Sequence, residues 1–268
     1  VLPPGSDWLF AKIYTGDATA DRIVRNTLWP LATDLLSKGH IASWFFLRYG
    51  DPDWHIRIRF RSSAGSPRDR VQPRLESALA PLLEEGLIWK WQYDTYFREV
   101  ERYGGGTGVL CAEEAFCHDS IAVAQLLELL EEDPDRDLRW QFALLGSEAL
   151  IDDFSFDPAR RGGLLESMRN SYHSEFEVST PAKKALGDKF RRHRPTLESM
   201  LARGDGRPSV RRADEVLRER STGMRRIADA VRDLERRGEF TTTIEDFVRS
   251  LVHVHMFRIL QNTHRAHE

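Results

Sequence analysis

Residues 55–61 constrain the fold of this chain more than any other stretch, because they alternate strictly between basic and apolar side chains. Side chains on a β-strand point to opposite faces in turn, so Ile56, Ile58 and Phe60 are predicted to face a core. Residues 44–49 before them are aromatic and strand-forming, and residues 50–53 (Gly-Asp-Pro-Asp) are a turn signal. We therefore predict a β-hairpin whose second strand carries a basic strip: His55, Arg57, Arg59 and Arg61.

The basic strip has two interpretations. Antiparallel sheets often present one polar face to water, so the strip could be a solvated outer surface. It could also line an anion pocket, because arginine occupies each permanently charged position and its fork suits carboxylate or phosphate. The aromatic residues beside it (Trp44, Phe46, Tyr49 and Trp54) would lower the local dielectric and strengthen such contacts.

The first 105 residues alternate between strand and helix signals. Strands are predicted over residues 8–14, 41–49, 54–61 and 87–97, with amphipathic helices over 19–37 and 69–84. Pro30 is expected to kink the first helix. The order βαββαβ predicts a ferredoxin-like antiparallel sheet with both helices on one face.

Beyond the glycines at 104–106 the strand signals end. Helices are predicted over residues 107–132, from 134 onward, and over 158–175, 181–203, 209–237 and 242–263. The fold class is therefore α+β, with a ferredoxin-like part at 1–105 and a helical part at 106–268 packed against it.

Composition excludes several classes of protein. The net charge is −3, which gives no global signal for nucleic-acid or membrane binding, and no apolar run approaches the roughly 20 residues of a membrane span. Without a visible signal peptide, and with Cys111 and Cys117 read as small buried hydrophobes, a cytoplasmic protein is expected.

No motif in the sequence points to a cofactor or a metal. His253 and His255 are two residues apart, so on a helix they diverge by roughly 200° and cannot share a metal ion. No Walker loop, no nucleotide-binding GxGxxG and no GxSxG elbow occurs. We therefore expect chemistry without a metal or a cofactor.

Two further clusters are candidates for function. In residues 96–105, Arg98, Glu99 and Arg102 crowd the segment before the glycines, where they are either a surface charge run or part of a site. On the last helix, Asp246, Ser250 and His253 share one stripe, while His255 and Arg258 point elsewhere. His253 is either a hydrogen-bonded core histidine or a general acid or base. Thr242 and Glu245 have the spacing of a capping box.

Four segments together resemble a known family. They are WFFLRYGDPDWHIRIRF (44–60), REVERYGG (98–105), FCHDS (116–120) and SLVHVHMFR (250–258). In this order they are similar to the C-terminal domain of class I lantibiotic dehydratases, which also occurs as a free-standing protein in thiopeptide-type bacteriocin pathways. The resemblance covers nearly the whole chain.

The resemblance implies a lyase that eliminates glutamate from glutamylated Ser or Thr of a precursor peptide, leaving dehydroalanine or dehydrobutyrine. It implies catalytic roles for four residues: His253, Arg102, Arg57 and Arg59. We assign substrate binding to five others: Glu99, His55, Arg48, Arg98 and Arg258. The three catalytic arginines and His253 are then expected to face one cavity. Phe257 stands where the family usually has Asn.

The partners implied by the resemblance are a precursor peptide, with a leader and a glutamylated core, and a separate subunit that uses glutamyl-tRNA. Direct nucleic-acid contact is not expected, and a homodimer is left open. One alternative is the [4+2] cyclase of the same fold that forms the pyridine of thiopeptides. The other is a non-catalytic subunit that captures a leader peptide along a sheet edge.

Overall fold

A four-stranded antiparallel sheet forms the first part of the chain. The computed structural model describes residues 1–131, 138–175, 177–202 and 206–260. The strands are β1 (Trp8–Tyr14), β2 (Ile41–Tyr49), β3 (His55–Ser62) and β4 (Lys90–Tyr93), in the order β2-β3-β1-β4. This is the ferredoxin-like order, and with the helices that follow it confirms the predicted α+β class.

The helices between the strands cover one face of this sheet. The first is α1 (Asp17–Ile23), which continues through a π-helical segment (Val24–Leu28) into α2 (Trp29–Ser37). The irregular turn lies directly before Pro30, which has no amide hydrogen for the regular helical ladder. The second connection carries α3 (Gln72–Glu84), which begins three residues later than predicted because residues 67–72 form a separate turn on the carbonyl of Pro67.

The fourth strand is shorter than its apolar pattern indicates. Of the predicted span 87–97, only Lys90–Tyr93 pair with β1 as a strand. Tyr96 instead forms an isolated bridge with Leu2, so the chain leaves the sheet and turns toward the helical half.

Among the described residues, six helices follow the sheet. They are α4 (Gly105–Glu131), α5 (Leu138–Asp153), α6 (Pro158–Glu175), α7 (Thr180–Leu201), α8 (Pro208–Arg236) and α9 (Ile244–Ile259). The predicted start near 134 and the predicted ends at 132, 203 and 263 lie outside the described residues. In the described part of the chain, no helix is both long and apolar enough to cross a membrane. Cys111 and Cys117 lie half-buried on α4, both as free thiols.

The two faces of the sheet belong to two hydrophobic cores. Ile56, Ile58 and Phe60 are fully buried against α1, α2 and α3, as the alternation predicted. The opposite face presents Phe10 and Phe45 to α4 and α9, where they join a second core. The basic strip lies on this second face. Within the strip His55 and Arg59 are buried, Arg57 is half-buried and Arg61 is exposed, so the strip as a whole is not a solvated outer surface.

Candidate functional site

Arg59 is a buried cation surrounded by aromatic rings. It lies in the middle of β3, paired with Phe10 of β1 and Phe45 of β2, and only 7% of its surface is exposed. Its guanidinium carbon lies 4.1 Å from the centroid of Phe10, 5.2 Å from that of Phe45 and 4.5 Å from that of Tyr96. Its Nε and Nη1 have no hydrogen-bond partner in the described part of the chain.

Burial lowers the pKa of Arg59 to about 10, so the side chain is still charged near neutral pH. Ring faces stabilise a guanidinium, but they leave its N–H donors without acceptors. A desolvated cation with spare donors is suited to binding an anion that reaches it.

Arg59 lines a cavity of about 250 Å³, which we call the arginine cavity. It lies between the second face of the sheet and helices α4 and α9. Its other polar side chains include Arg48, Glu99, Arg102 and His253. The remaining wall is largely aromatic, with Phe45, Tyr49, Tyr96, Phe97, Tyr103, Phe116 and Phe257.

Arg102 lies at the edge of this cavity, where it contacts Glu99 and Ser250. Residues 100–104 form a turn rather than the end of a strand, and this brings Arg102 Nη1 to 3.0 Å from Glu99 Oε2. Arg102 Nε donates to Ser250 Oγ of α9 at 3.3 Å. The turn thus links the segment after the sheet to the last helix, 148 residues further along the chain.

His253 faces the arginine cavity from α9 and is half-buried. Its ring meets Phe257 edge-on at 4.3 Å between centroids and lies 6.4 Å from the ring of Tyr172 on α6. The helix begins one residue later than the capping box implied. Thr243, the third of three successive threonines, has extended backbone and accepts from the N–H of Asp246. The predicted box between Thr242 and Glu245 is therefore wrong.

A second cavity, of about 440 Å³, adjoins the first. We call it the α6 cavity, because three residues of α6 form one wall: Met168, Ser171 and Tyr172. The predicted stripe of Asp246, Ser250 and His253 faces this cavity together with Arg249. Arg102 and His253 line both cavities.

His255 and Arg258 lie on the other side of α9, fully buried in an ionic cluster around Asp119 of α4. Asp119 Oδ1 accepts from His255 Nδ1 at 2.9 Å and from Arg220 Nη1 at 2.7 Å, and Oδ2 accepts from Arg258 Nη1 at 2.8 Å. Burial acts to raise the pKa of Asp119, but His255 and the two guanidiniums outweigh it and hold the pKa well below its usual range. Arg258, to which we assigned substrate binding, instead directs its Nη1 at Asp119 and its Nε at the carbonyl of Phe46, and it lines neither cavity.

The remaining assigned residues are distributed around the site. Arg48 lines the arginine cavity, but its Nε donates to the carbonyl of Arg258 and its Nη2 to Asp21. Arg98 forms a bidentate pair with Glu113 at 2.6 and 2.8 Å and does not line the cavity.

His55 and Arg57 contact each other rather than the arginine cavity. His55 is buried, with Nδ1 2.7 Å from the carbonyl of Asp53, and its Nε2 accepts from Arg57 Nε at 3.0 Å. The guanidinium of Arg57 lies 3.4 Å above the ring of Tyr49, which does line the cavity. Arg57 therefore lies behind the cavity wall, whereas Arg59 and Arg102 reach the cavity with His253. Arg61, the fourth member of the strip, is exposed and pairs with Asp7.

Sequence reasoning missed Asp119 and the aromatic wall. The FCHDS segment contains Asp119, but one acidic residue on an apolar helix gives no signal of three partners distributed over α8 and α9. No group of three or more metal-ligating side chains occurs among the described residues.

Comparison with known proteins identifies the family. The family model described as "Lantibiotic biosynthesis dehydratase C-term" matches residues 8–268. The subtilin biosynthesis protein SpaB of Bacillus subtilis is 30% identical over 179 residues, which cover 65% of this chain and 17% of SpaB. The chain thus spans about a sixth of that curated relative.

Solved structures share the fold. The tRNA-dependent lantibiotic dehydratase MibB from Microbispora sp. 107891 matches 98% of this chain and 27% of its own, with a TM-score of 0.77 and 23% identity. The pyridine synthase TbtD from thiomuracin biosynthesis matches 97% of this chain and 94% of its own, with a TM-score of 0.66 and 15% identity. The family match across the chain, on a fold that these structures share, places this protein in the lantibiotic dehydratase C-terminal domain family.

Proposed function

We propose that this protein is a lyase that eliminates glutamate from glutamylated Ser or Thr in a precursor peptide. The observation that carries the proposal is that one cavity is lined by Arg59, Arg102, Glu99 and His253. Two cations, a carboxylate and an imidazole are the groups this reaction needs, and the family match makes it the relevant chemistry.

The substrate has charges that complement these groups. Glutamate delivered from a tRNA is joined through its α-carboxyl, so the ester retains a free ammonium and a side-chain carboxylate. Arg59 is buried, and its Nε and Nη1 find no acceptor in the described part of the chain, so it is suited to the side-chain carboxylate. Glu99, which lines the same cavity, is suited to the ammonium. Two opposite charges would thus orient the glutamyl group before reaction.

The elimination itself transfers a proton and an electron pair. A base removes the Cα proton of the modified residue, a Cα=Cβ double bond forms, and the Cβ–O bond breaks with its electrons passing to the departing glutamate. His253 is our candidate base. Arg102, which shares both cavities with His253, is our candidate to stabilise the carboxylate as it forms.

Arg57 and His55 are assigned supporting roles. Arg57 covers one side of Tyr49 and so supports the cavity wall, and His55 holds Arg57 through its Nε2.

We propose that the glutamylated peptide comes from a separate glutamyl-tRNA-dependent partner in the cytoplasm, by analogy with MibB, which is named as a tRNA-dependent dehydratase.

The decisive experiment incubates the purified protein with a synthetic peptide bearing one glutamyl-serine ester and follows the mass of the peptide. Loss of glutamate with formation of dehydroalanine supports the proposal. An intact ester would contradict it and would favour either a cyclase like TbtD, tested with a peptide already carrying two dehydroalanines, or a subunit that only binds peptide.

A further inference from the structure

The glutamate site proposed above does not use the α6 cavity, yet this cavity meets the arginine cavity at two residues. Both cavities are lined by Arg102 and His253, and each then extends away from this junction. A β-elimination separates a leaving group from a peptide at one Cβ–O bond. If His253 acts at that bond, the leaving group lies on one side of the junction and the peptide on the other.

The chemistry of the two cavity walls indicates which cavity holds the departing glutamate and which holds the peptide. The arginine cavity offers Arg59, a buried cation whose Nε and Nη1 have no acceptor among the described residues. In the α6 cavity the charged side chains include Asp246 and Arg249, which pair with each other at 2.8 Å. Its other polar groups include the hydroxyls of Ser171 and Ser250, which can bond either an N–H or a C=O. Beyond Arg102 at the junction, the paired Asp246 and Arg249 cancel in charge, and this part of the wall suits peptide backbone.

The position of the α6 cavity between two helices supports the same assignment. The inner wall of the α6 cavity is α9, and its outer wall is the mostly exposed helix α6. Two hydrogen bonds connect these helices: Arg160 Nε donates to Glu245 Oε1 at 2.7 Å, and Arg249 Nη1 donates to Ser167 Oγ at 3.4 Å. An extended chain could therefore lie along the groove between the two helices.

We propose that the α6 cavity is the binding site for the precursor peptide next to the modified residue, and that Ser171 and Tyr172 of α6 determine which flanking side chains fit. This inference rests on the proposed function. Tyr172 presents its ring close to His253, so a residue beside the reacting one would contact it. Ser171 is small and exposed, and it leaves open the space that a larger flanking side chain would occupy.

The test compares two esters. One is the glutamyl ester of N-acetylserine methylamide, which has no flanking residues, and the other is the same ester within a short synthetic peptide. Ser171→Trp fills the α6 cavity without removing any buried contact. Arg169→Trp is the matched control, because its side chain is largely exposed on the same helix and lines neither cavity.

Ser171→Trp is expected to lower kcat/KM for the peptide ester by roughly tenfold more than for the small ester, mainly through KM. Arg169→Trp should lower neither selectively. Tyr172→Ala provides a second variant, expected to shift the relative rates on peptides that differ only in the residues flanking the ester. Equal losses on both esters, or no loss, would overturn the peptide site. Failure of the unmodified protein to act on either ester would instead contradict the proposed function.

Discussion

At the scale of single residues, two histidines of α9 differ in role: one belongs to the candidate site and the other to the core. His253 faces both cavities, whereas His255 is fully buried against Asp119. His253→Ala is expected to lower the elimination rate by about 10²–10⁴, the usual contribution of a general acid or base, with little change in melting temperature. Mass spectrometry of the peptide should then show accumulated glutamyl ester.

His255→Ala is the matched comparison and should behave in the opposite way. It leaves a hole in the core and removes one donor from Asp119, so the free energy of unfolding should fall by about 2–4 kcal/mol. Urea denaturation of both variants measures this difference. A wild-type rate in His253→Ala would return that residue to a structural role.

We expect Arg59 to lower the stability of the folded protein and to raise the rate of elimination. Its charge is buried, and no carboxylate bonds its Nε or Nη1 among the described residues. Replacing buried charge with a well-packed apolar side chain is often neutral or stabilising by about 1–4 kcal/mol. Arg59→Met should therefore keep or raise the melting temperature while lowering elimination by about 10²–10³. A clear loss of stability in calorimetry would show that the aromatic rings alone satisfy the guanidinium.

His55 should make the protein sensitive to mild acid. Burial lowers its pKa from 6.5 to about 4, and its Nε2 must remain unprotonated to accept from Arg57. Between these two pH values the unfolded chain binds a proton that the folded chain does not. Stability therefore falls as pH falls through this range, by up to about 3 kcal/mol.

The check on His55 is a difference between two proteins. His55→Gln can still donate and accept hydrogen bonds but does not titrate. The free energy of unfolding of the wild type minus that of the variant should decrease from pH 6.5 to 4. A constant difference would mean that His55 titrates alike in the folded and unfolded states.

At the scale of elements, the periodicity of apolar residues predicted which face of a strand or helix each residue occupies. The alternation in β3 correctly assigned Ile56, Ile58 and Phe60 to one core, and helical spacing correctly placed His253 apart from His255. Periodicity gives the face of a strand but not the direction of a long side chain on that face. Arg57 and Arg59 share a face, yet one lies over Tyr49 and the other points into the cavity.

Element boundaries were less predictable, for reasons that are also physical. The apolar run after residue 87 suits a long strand, but β4 ends at Tyr93 because Tyr96 finds a partner in Leu2, about 90 residues away in the chain. The aromatic wall of the site depends on the same long-range packing. No local pattern distinguishes a ring that lines a cavity from one that fills a core.

The crossing of α5 and α9 depends on one glycine. A Cβ at Gly146 would lie 2.2 Å from Nε2 of His255, which is fully buried. Gly146→Ala should lower the free energy of unfolding by about 1–3 kcal/mol, the usual cost of overpacking, despite the better helix propensity of alanine. Thermal unfolding measures the change.

Gly163 of α6 is the matched control, since a Cβ there would meet nothing within 4 Å. Gly163→Ala should stabilise the protein by up to about 1 kcal/mol through helix propensity alone. If both substitutions moved the melting temperature in the same direction, α5 and α9 would not be packed as closely as described.

At the scale of the whole molecule, Asp119 joins elements that are distant in sequence. It is a residue of α4, and it bonds Arg220 of α8 as well as His255 and Arg258 of α9. Removing one partner from a buried ionic cluster typically costs about 3–5 kcal/mol, because the remaining charges stay desolvated. Asp119→Ala should therefore destabilise the fold by about that amount, measured by urea denaturation. An unchanged urea midpoint would show that water replaces the carboxylate.

The backbone of Phe46 has a further consequence, for how molecules of this protein behave toward one another. Phe46 lies on β2, which is an edge strand of the sheet. Its backbone N–H donates to Ser120 Oγ, and its backbone carbonyl accepts from Arg258 Nε. An open edge strand is where a second chain can add and start an aggregate. Here an incoming strand would first have to displace α4 and α9. The side chains of Ser120 and Arg258 therefore also protect the folded protein against the growth of intermolecular sheets at high concentration.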